Sequence, residues 1–380
     1  MIKMALYLCL GPACAPIPDV DSAGSSAQDS TATRAPSTAS WAPPPDVIAW
    51  TLDGAPALVD GASGAVLQPL PAMEGTGDRD VAWDPWSHRV VILQGDEGGE
   101  GGEIASHTLT STAAGRHLGD RVHVAWIDGR ARVLPAPAGV VVMEESYGSR
   151  HRLLGATPTA SVAAPPPASA WLTIEPAGAV LHTLAAREEP PALEVRASLV
   201  SEAGVALPEV QSLAIGPAST PSTARLVPGP SEGSAILVDV AGSSLVVRLI
   251  DGGSAGPAST MALPAPDMRI EAAVSLRGGS VVAMLMSGVT RIIAISLDPS
   301  GAVSGAAHLS LPGEITPPRQ LFSRNLAAQG PDRVLAATSA GLHSVRVTQD
   351  GNGVLGLELA SAFVGSALRG PIAVVEPSPE

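Results

Sequence analysis

Short apolar runs alternate with polar, glycine-bearing turns along most of the chain, and one unit recurs. A short apolar strand leads to a polar turn with a glycine, and a second, weaker strand follows. The turn glycines are Gly64, Gly115, Gly155, Gly204, Gly252, Gly301 and Gly351, at steps of 40–51 residues. Glycine between two apolar runs signals a hairpin, because it accepts the positive φ such turns need. A second apolar run precedes all but the first of these motifs, at residues 90–93, 140–143, 180–184, 235–238, 281–286 and 334–337. These runs are nearly continuous and mostly rich in Val and Ile, as expected of strands buried on both faces. A weaker strand lies upstream of each run, for example at 81–83 and 122–127. Each unit thus supplies four strands.

Residues 179–189, 192–203 and 269–277 also carry apolar residues at helical spacing. Their place in the repeat reads as strand. The first unit, from Val47, lacks its opening strand, while 371–376 forms a surplus apolar strand at the other end. The reading is therefore an all-β, seven-bladed β-propeller over residues 46–376, its ring closed by pairing of the N- and C-terminal strands. A pair of β-sandwiches or a mixed α/β body is the alternative. Closure removes the exposed sheet edges that invite aggregation. On these repeats the chain resembles the bacterial β-propeller superfamily in its loose sense, WD40-, kelch- or YVTN-like. No blade-closing Trp-Asp pair, kelch double glycine or Asp-box recurs, so the resemblance carries no functional residue with it.

Composition supports strands over helices: Gly and Pro number 40 and 36 and are scattered throughout. Apolar residues make up 45% and charged ones 15%, enough to bury a large core. The net charge is −14, the only lysine is Lys3, and aromatics are 3%. Nucleic-acid binding wants a basic stripe and stacking platforms, and neither is visible. The cysteines, Cys9 and Cys14, both precede the repeats, so the ring has no disulfide or thiolate metal site.

Residues 1–14 read as a targeting segment: Lys3, an apolar stretch over 4–10, then Gly11-Pro12-Ala13-Cys14. Small residues before a cysteine resemble a bacterial lipobox, which implies lipidation of Cys14. Residues 15–45, rich in Pro, Ser, Ala and Thr, read as a disordered tether, and 377–380 as a short tail. The expected location is the bacterial cell envelope, as an outer-membrane lipoprotein touching the membrane through its anchor alone. Secretion or periplasmic release is the alternative.

The chain has no phosphate-binding Gly-rich loop and no His-Glu-x-x-His. His117 and His123 are the closest histidine pair and read as separate surface residues. Trp83 and Trp86 read as packing between blades. In a meander of four strands, the loops between second and third strands share a face with the links between blades. That face carries Asp96, Glu97, Glu100 and Glu103, then Glu144 and Glu145 with Tyr147 and Arg150, then Arg187, Glu188 and Glu189. The blade links add Asp78, Arg79, Asp80, Asp120, Arg121, Asp267 and Arg269. Calcium is the one ion these carboxylates suggest; no other cofactor is implied. The expectation is a non-enzymatic binding or scaffold ring whose partner is a protein or cell-envelope component. The alternative is a metal-dependent, lactonase-like hydrolase working at the acidic tunnel mouth.

Overall fold

The structure, a computed structural model, describes residues 45–375 apart from 52–53, 72–78, 96–100, 113–114, 129, 145–149, 156–160, 165–166, 168, 176–177, 188–191, 215–223, 232, 252–253, 316–323, 352 and 365–367. The described strands form seven antiparallel sheets, one per repeat. Their first strands touch their neighbours all the way round and surround the axis. The chain is a seven-bladed β-propeller.

Blade 2 shows the pattern. From the axis outward it consists of Arg79–Asp84, Arg89–Gly95, Gly101–Thr112 and Gly115–Asp128. The axial strands of blades 3 to 7 are Ala131–Ala136, Ser169–Glu175, Arg225–Pro228, Arg269–Leu276 and Leu326–Ala328. In blades 4 and 5 two short strands share the outer edge, Gly204–Val205 with Glu209–Ala214, and Ser254–Ala255 with Ser259–Ala262. Blade 1 is composite: Leu368–Val375 supplies its axial strand and pairs with Asp46–Thr51, from Asp46 against Val375 to Thr51 against Leu368. Closure by the two ends of the repeat region is as the sequence predicts.

The continuous apolar runs are the second strands, and alternation explains them. Side chains on a strand point to opposite faces, and here both faces meet a neighbouring blade. Val90 and Ile92 pack against blade 1, while Val91 and Leu93 pack against blade 3. In blade 6, Val281, Ala283 and Leu285 face blade 7, and Val282, Met284 and Met286 face blade 5. Seven apolar clusters result, one at each blade boundary. Each buried aliphatic side chain contributes about 1.5–3 kcal/mol, so the boundaries, not a central core, hold the ring.

Six of the motif glycines, Gly64, Gly115, Gly155, Gly204, Gly301 and Gly351, fall on the hairpins between third and fourth strands, and Gly252 lies outside the described residues. Gly301 has φ +84°, and a Cβ there would stand 2.5 Å from Leu249 of blade 5, so turn and blade packing both require glycine. In the last hairpin the positive φ belongs to Gly353 rather than Gly351. The three helix-spaced segments are all strands, Gly178–Arg187, Ala192–Ser201 and Arg269–Leu276.

One strand lies elsewhere than expected. Residues 122–127 do not open blade 3; they continue the outermost strand of blade 2. Bulges at Ile104/Ala105 and His107/Leu109 let that long ladder carry on past Asp120. Val122 and Trp126 are 52% and 69% exposed, as an edge strand allows. The buried strand Ala131–Ala136 takes the axial place instead. Asp120 and Arg121 are therefore mid-strand residues, not a blade link.

Candidate functional site

Antiparallel order puts the starts of the axial strands and the loops between second and third strands on one face, the mouth. Arginines recur there. Arg132 and Arg369 stand at the second position of their axial strands and Arg225 at the first of its own, and each Nη1 donates to the preceding residue's carbonyl, at 2.9, 2.8 and 2.7 Å. Side-chain oxygens stitch neighbouring axial strands together. Asp80 Oδ2 accepts the Val133 N–H at 2.9 Å, and Ser169 Oγ accepts that of Leu226 at 2.9 Å.

A cavity of about 280 Å³ opens among the axial strands of blades 3 to 7. Its polar lining comes from Ser169, Trp171, Arg225, Ser275 and Arg324. Trp171 stacks on His182, with ring centroids 4.8 Å apart, and its Nε1 is buried without a partner. Arg225 is buried, and burial pulls its pKa down to about 10 while Glu271 and Asp239 push it back up. It is a full cation at neutral pH. Its Nε and Nη2 donate to the Glu271 carbonyl at 3.3 and 3.2 Å.

That contact depends on a bulge. The ladder between Arg269–Leu276 and the second strand of blade 6 shifts register between Ile270 and Ala272, so Glu271 is the extra residue. A bulge frees a carbonyl from the ladder and re-aims the side chain. The freed carbonyl takes Arg225, and the carboxylate takes the Ser287 hydroxyl. Just upstream, Asp267 holds φ +59°, a strained value for a non-glycine residue. Glu271 adjoins residues 272–275, which wall the cavity.

Arg324 completes the floor. It precedes the axial strand of blade 7 and reaches past blade 1: Nε lies 3.1 Å from Asp80 Oδ1, Nη1 donates to Val81 O at 2.7 Å, and Nη2 donates to Val133 O.

The expected acidic face divides. Asp96, Glu97, Glu100, Glu145, Glu188 and Glu189 lie outside the described residues, as do Asp78, Tyr147 and Cys14. Glu103 and Glu144 are described and do not combine. Glu103 pairs with Arg121 and with His123, the latter at 3.0 Å. Buried Glu144 pairs with Arg150 and, at 2.7 Å, with Arg152. A calcium ion needs several oxygens turned to one point. Guanidinium groups occupy that role here, and among the described residues no three His, Cys, Asp or Glu side chains converge. The described donors do not fit the ion. His117 bonds Thr110, and His123 bonds Glu103, so the two histidines share no site. Trp83 packs at the boundary of blades 1 and 2, as expected; Trp86 is exposed.

No protein-family model and no curated protein matches the chain. Solved structures do. A periplasmic gluconolactonase of Pseudomonas aeruginosa is 14% identical, with 88% of this chain and 99% of that one covered at a TM-score of 0.56. A Bacteroides fragilis protein assigned as a 6-phosphogluconolactonase is 12% identical, with 85% and 95% covered at 0.53. A protein from Lactobacillus plantarum is 14% identical, with 88% and 100% covered at 0.57. At this identity the likeness establishes the fold. It also corrects the expectation of a non-enzymatic binding or scaffold ring. The propellers of this shape include a gluconolactonase, and the mouth holds a buried guanidinium and a bulged carboxylate.

Arg225, Glu271, Arg324, Ser169 and Trp171 were missed by sequence reasoning. One signal existed. Ala131-Arg132-Val133-Leu134-Pro135 and Ala224-Arg225-Leu226-Val227-Pro228 repeat one pattern two blades apart, and it marks the axial strand that carries the inward arginine.

Proposed function

We propose that the chain is a hydrolase of small cyclic esters, acting in the axial cavity. The observation that carries this is the pairing of Arg225 with the main-chain carbonyl of bulged Glu271 beside that cavity, in a ring whose structural neighbours include a gluconolactonase and a protein assigned as a 6-phosphogluconolactonase. Glu271, on the bulge beside the cavity and not among its lining residues, takes a proton from water at the cavity's edge as the water oxygen attacks the lactone carbonyl carbon. Negative charge develops on the carbonyl oxygen, and Arg225, already charged and buried, stabilises it. The ring C–O bond then breaks, the proton passes from Glu271 to the leaving alkoxide, and an open-chain hydroxy acid results. Water is the only co-reactant. A general base and an oxyanion donor each typically contribute about 10²–10⁴-fold and 10²–10³-fold. The test is a pH-stat assay of the full chain on a panel of lactones. Acid release above the uncatalysed rate, lost in R225M, supports the reading; release at the background rate rejects it.

The N-terminal sequence supports a second part of the proposal: export to the cell envelope with a lipid on Cys14. Labelled palmitate incorporated by the intact chain and absent from C14S would support it; equal labelling of both would reject it.

A further inference from the structure

We infer that the lactone this cavity takes carries an alkyl arm and is not a polyhydroxylated sugar-acid ring. The inference rests on the hydrolase reading and adds the substrate class to it. Most of the wall is aliphatic: Leu134, Leu226, Val227, Ala273, Val274 and Leu326 all line it. Among the described lining residues none is Asp, Glu, Asn, Gln or His.

A sugar-acid lactone brings several hydroxyls into its site, and each loses water on entry. Every hydroxyl left without a protein partner then opposes binding. The partners present are few and already engaged. Ser169 Oγ accepts the Leu226 N–H. Arg225 spends N–H groups on the carbonyls of Ala224 and Glu271. Arg324 spends its own on Asp80, Val81 and Val133. What remains suits one ester group at the polar side and a hydrocarbon chain along the wall. Pockets for small organic ligands share this make-up, a mostly apolar lining with a few placed polar groups.

The experiment is a chain-length series on the full protein: γ-butyrolactone, γ-hexalactone, γ-octalactone and γ-decalactone, with glucono-δ-lactone alongside. Turnover is followed by pH-stat and binding by thermal shift. We expect kcat/KM to rise about fourfold per methylene, the factor for burying one CH₂, with every alkyl lactone longer than γ-butyrolactone ahead of the sugar lactone. Faster turnover of glucono-δ-lactone would overturn the alkyl-arm inference and leave the hydrolase reading standing. A thermal shift that grows with chain length, without turnover, would overturn the hydrolase reading and keep the ligand class. Neither turnover nor shift with any lactone would overturn both.

Discussion

Arg324 Nε lies 3.1 Å from Asp80 Oδ1, although their blades, the seventh and the second, are separated in the ring by the composite first blade. Asp80 is 1% exposed and also accepts the N–H groups of Val81 and Val133, each at 2.9 Å. One ion pair thus braces the ring across its closing seam. It also fixes the guanidinium that lines the cavity.

Breaking that pair from the cationic side leaves a buried carboxylate without its counter-charge. R324M is expected to lower stability by roughly 3–5 kcal/mol, a large share of the about 5–15 kcal/mol typical of folded domains. D80N, which keeps a hydrogen-bonding oxygen, should lose less. Urea unfolding of both variants is the measurement. A loss under about 1 kcal/mol for R324M would show that the brace is dispensable.

Activity separates the two partners of the bulge. R225M should lower kcat on a reactive lactone by about 10²–10³-fold, with R225K recovering part of it. E271Q should lower kcat by about 10²–10⁴-fold with a smaller change in KM, because it removes a proton acceptor and keeps the shape. Equal activity of E271Q and the parent chain would assign the base elsewhere.

Acid weakens the ring through a histidine remote from the cavity. His151 is buried, and burial, with Arg196 second, pulls its pKa down from 6.5 to about 4. Above pH 6.5 the folded and unfolded chains both hold it neutral, and its contribution is full. As pH falls from 6.5 toward 4 the unfolded state binds a proton that the native state refuses, so stability drops. Below 4 the slope ends. The drop amounts to about 3 kcal/mol. Melting temperature against pH should show it, and H151Q should flatten that segment. An unchanged slope in H151Q would move the effect to other groups.

The fold was legible because a second strand such as 281–286 buries both faces, so each position is apolar and the run stands out from its turns. Residues 122–127 misled because an edge strand crossing two bulges looks, in sequence, like a strand that starts afresh. The site was less legible for a different reason. Arg225, Glu271 and Arg324 stand one to a blade, and only the packing of successive blades about the axis draws them together. Glu271 is further hidden because a bulge is an extra residue, which breaks the alternation a reader follows. Acidic loops such as 96–100 attract notice by composition, yet described neighbours such as Glu103 are matched to arginine and histidine.

A side chain also joins blades 1 and 2 at their outer edges. Gln68 Nε2 donates to Leu118 O at 2.9 Å, and its Oε1 accepts the Leu118 N–H at 2.7 Å. One amide thus supplies the pairing that a further strand would give. Q68L should lower stability by about 1–3 kcal/mol, since both backbone groups lose their partner at once. Hydrogen exchange at the Leu118 amide should rise in the variant. Unchanged protection there would show that other contacts shield it.

The composite first blade also sets a timetable. Asp46–Thr51 is made before blades 2 to 7, and the axial strand it needs, Leu368–Val375, is made only after all of them. Blades 2 to 7 draw on local hairpins and can assemble as they emerge, whereas the first must wait until the other six have been made. Until then a growing chain is an open arc with two unsatisfied edges, one at each end, and the closing strand converts that arc into a ring in a single late event.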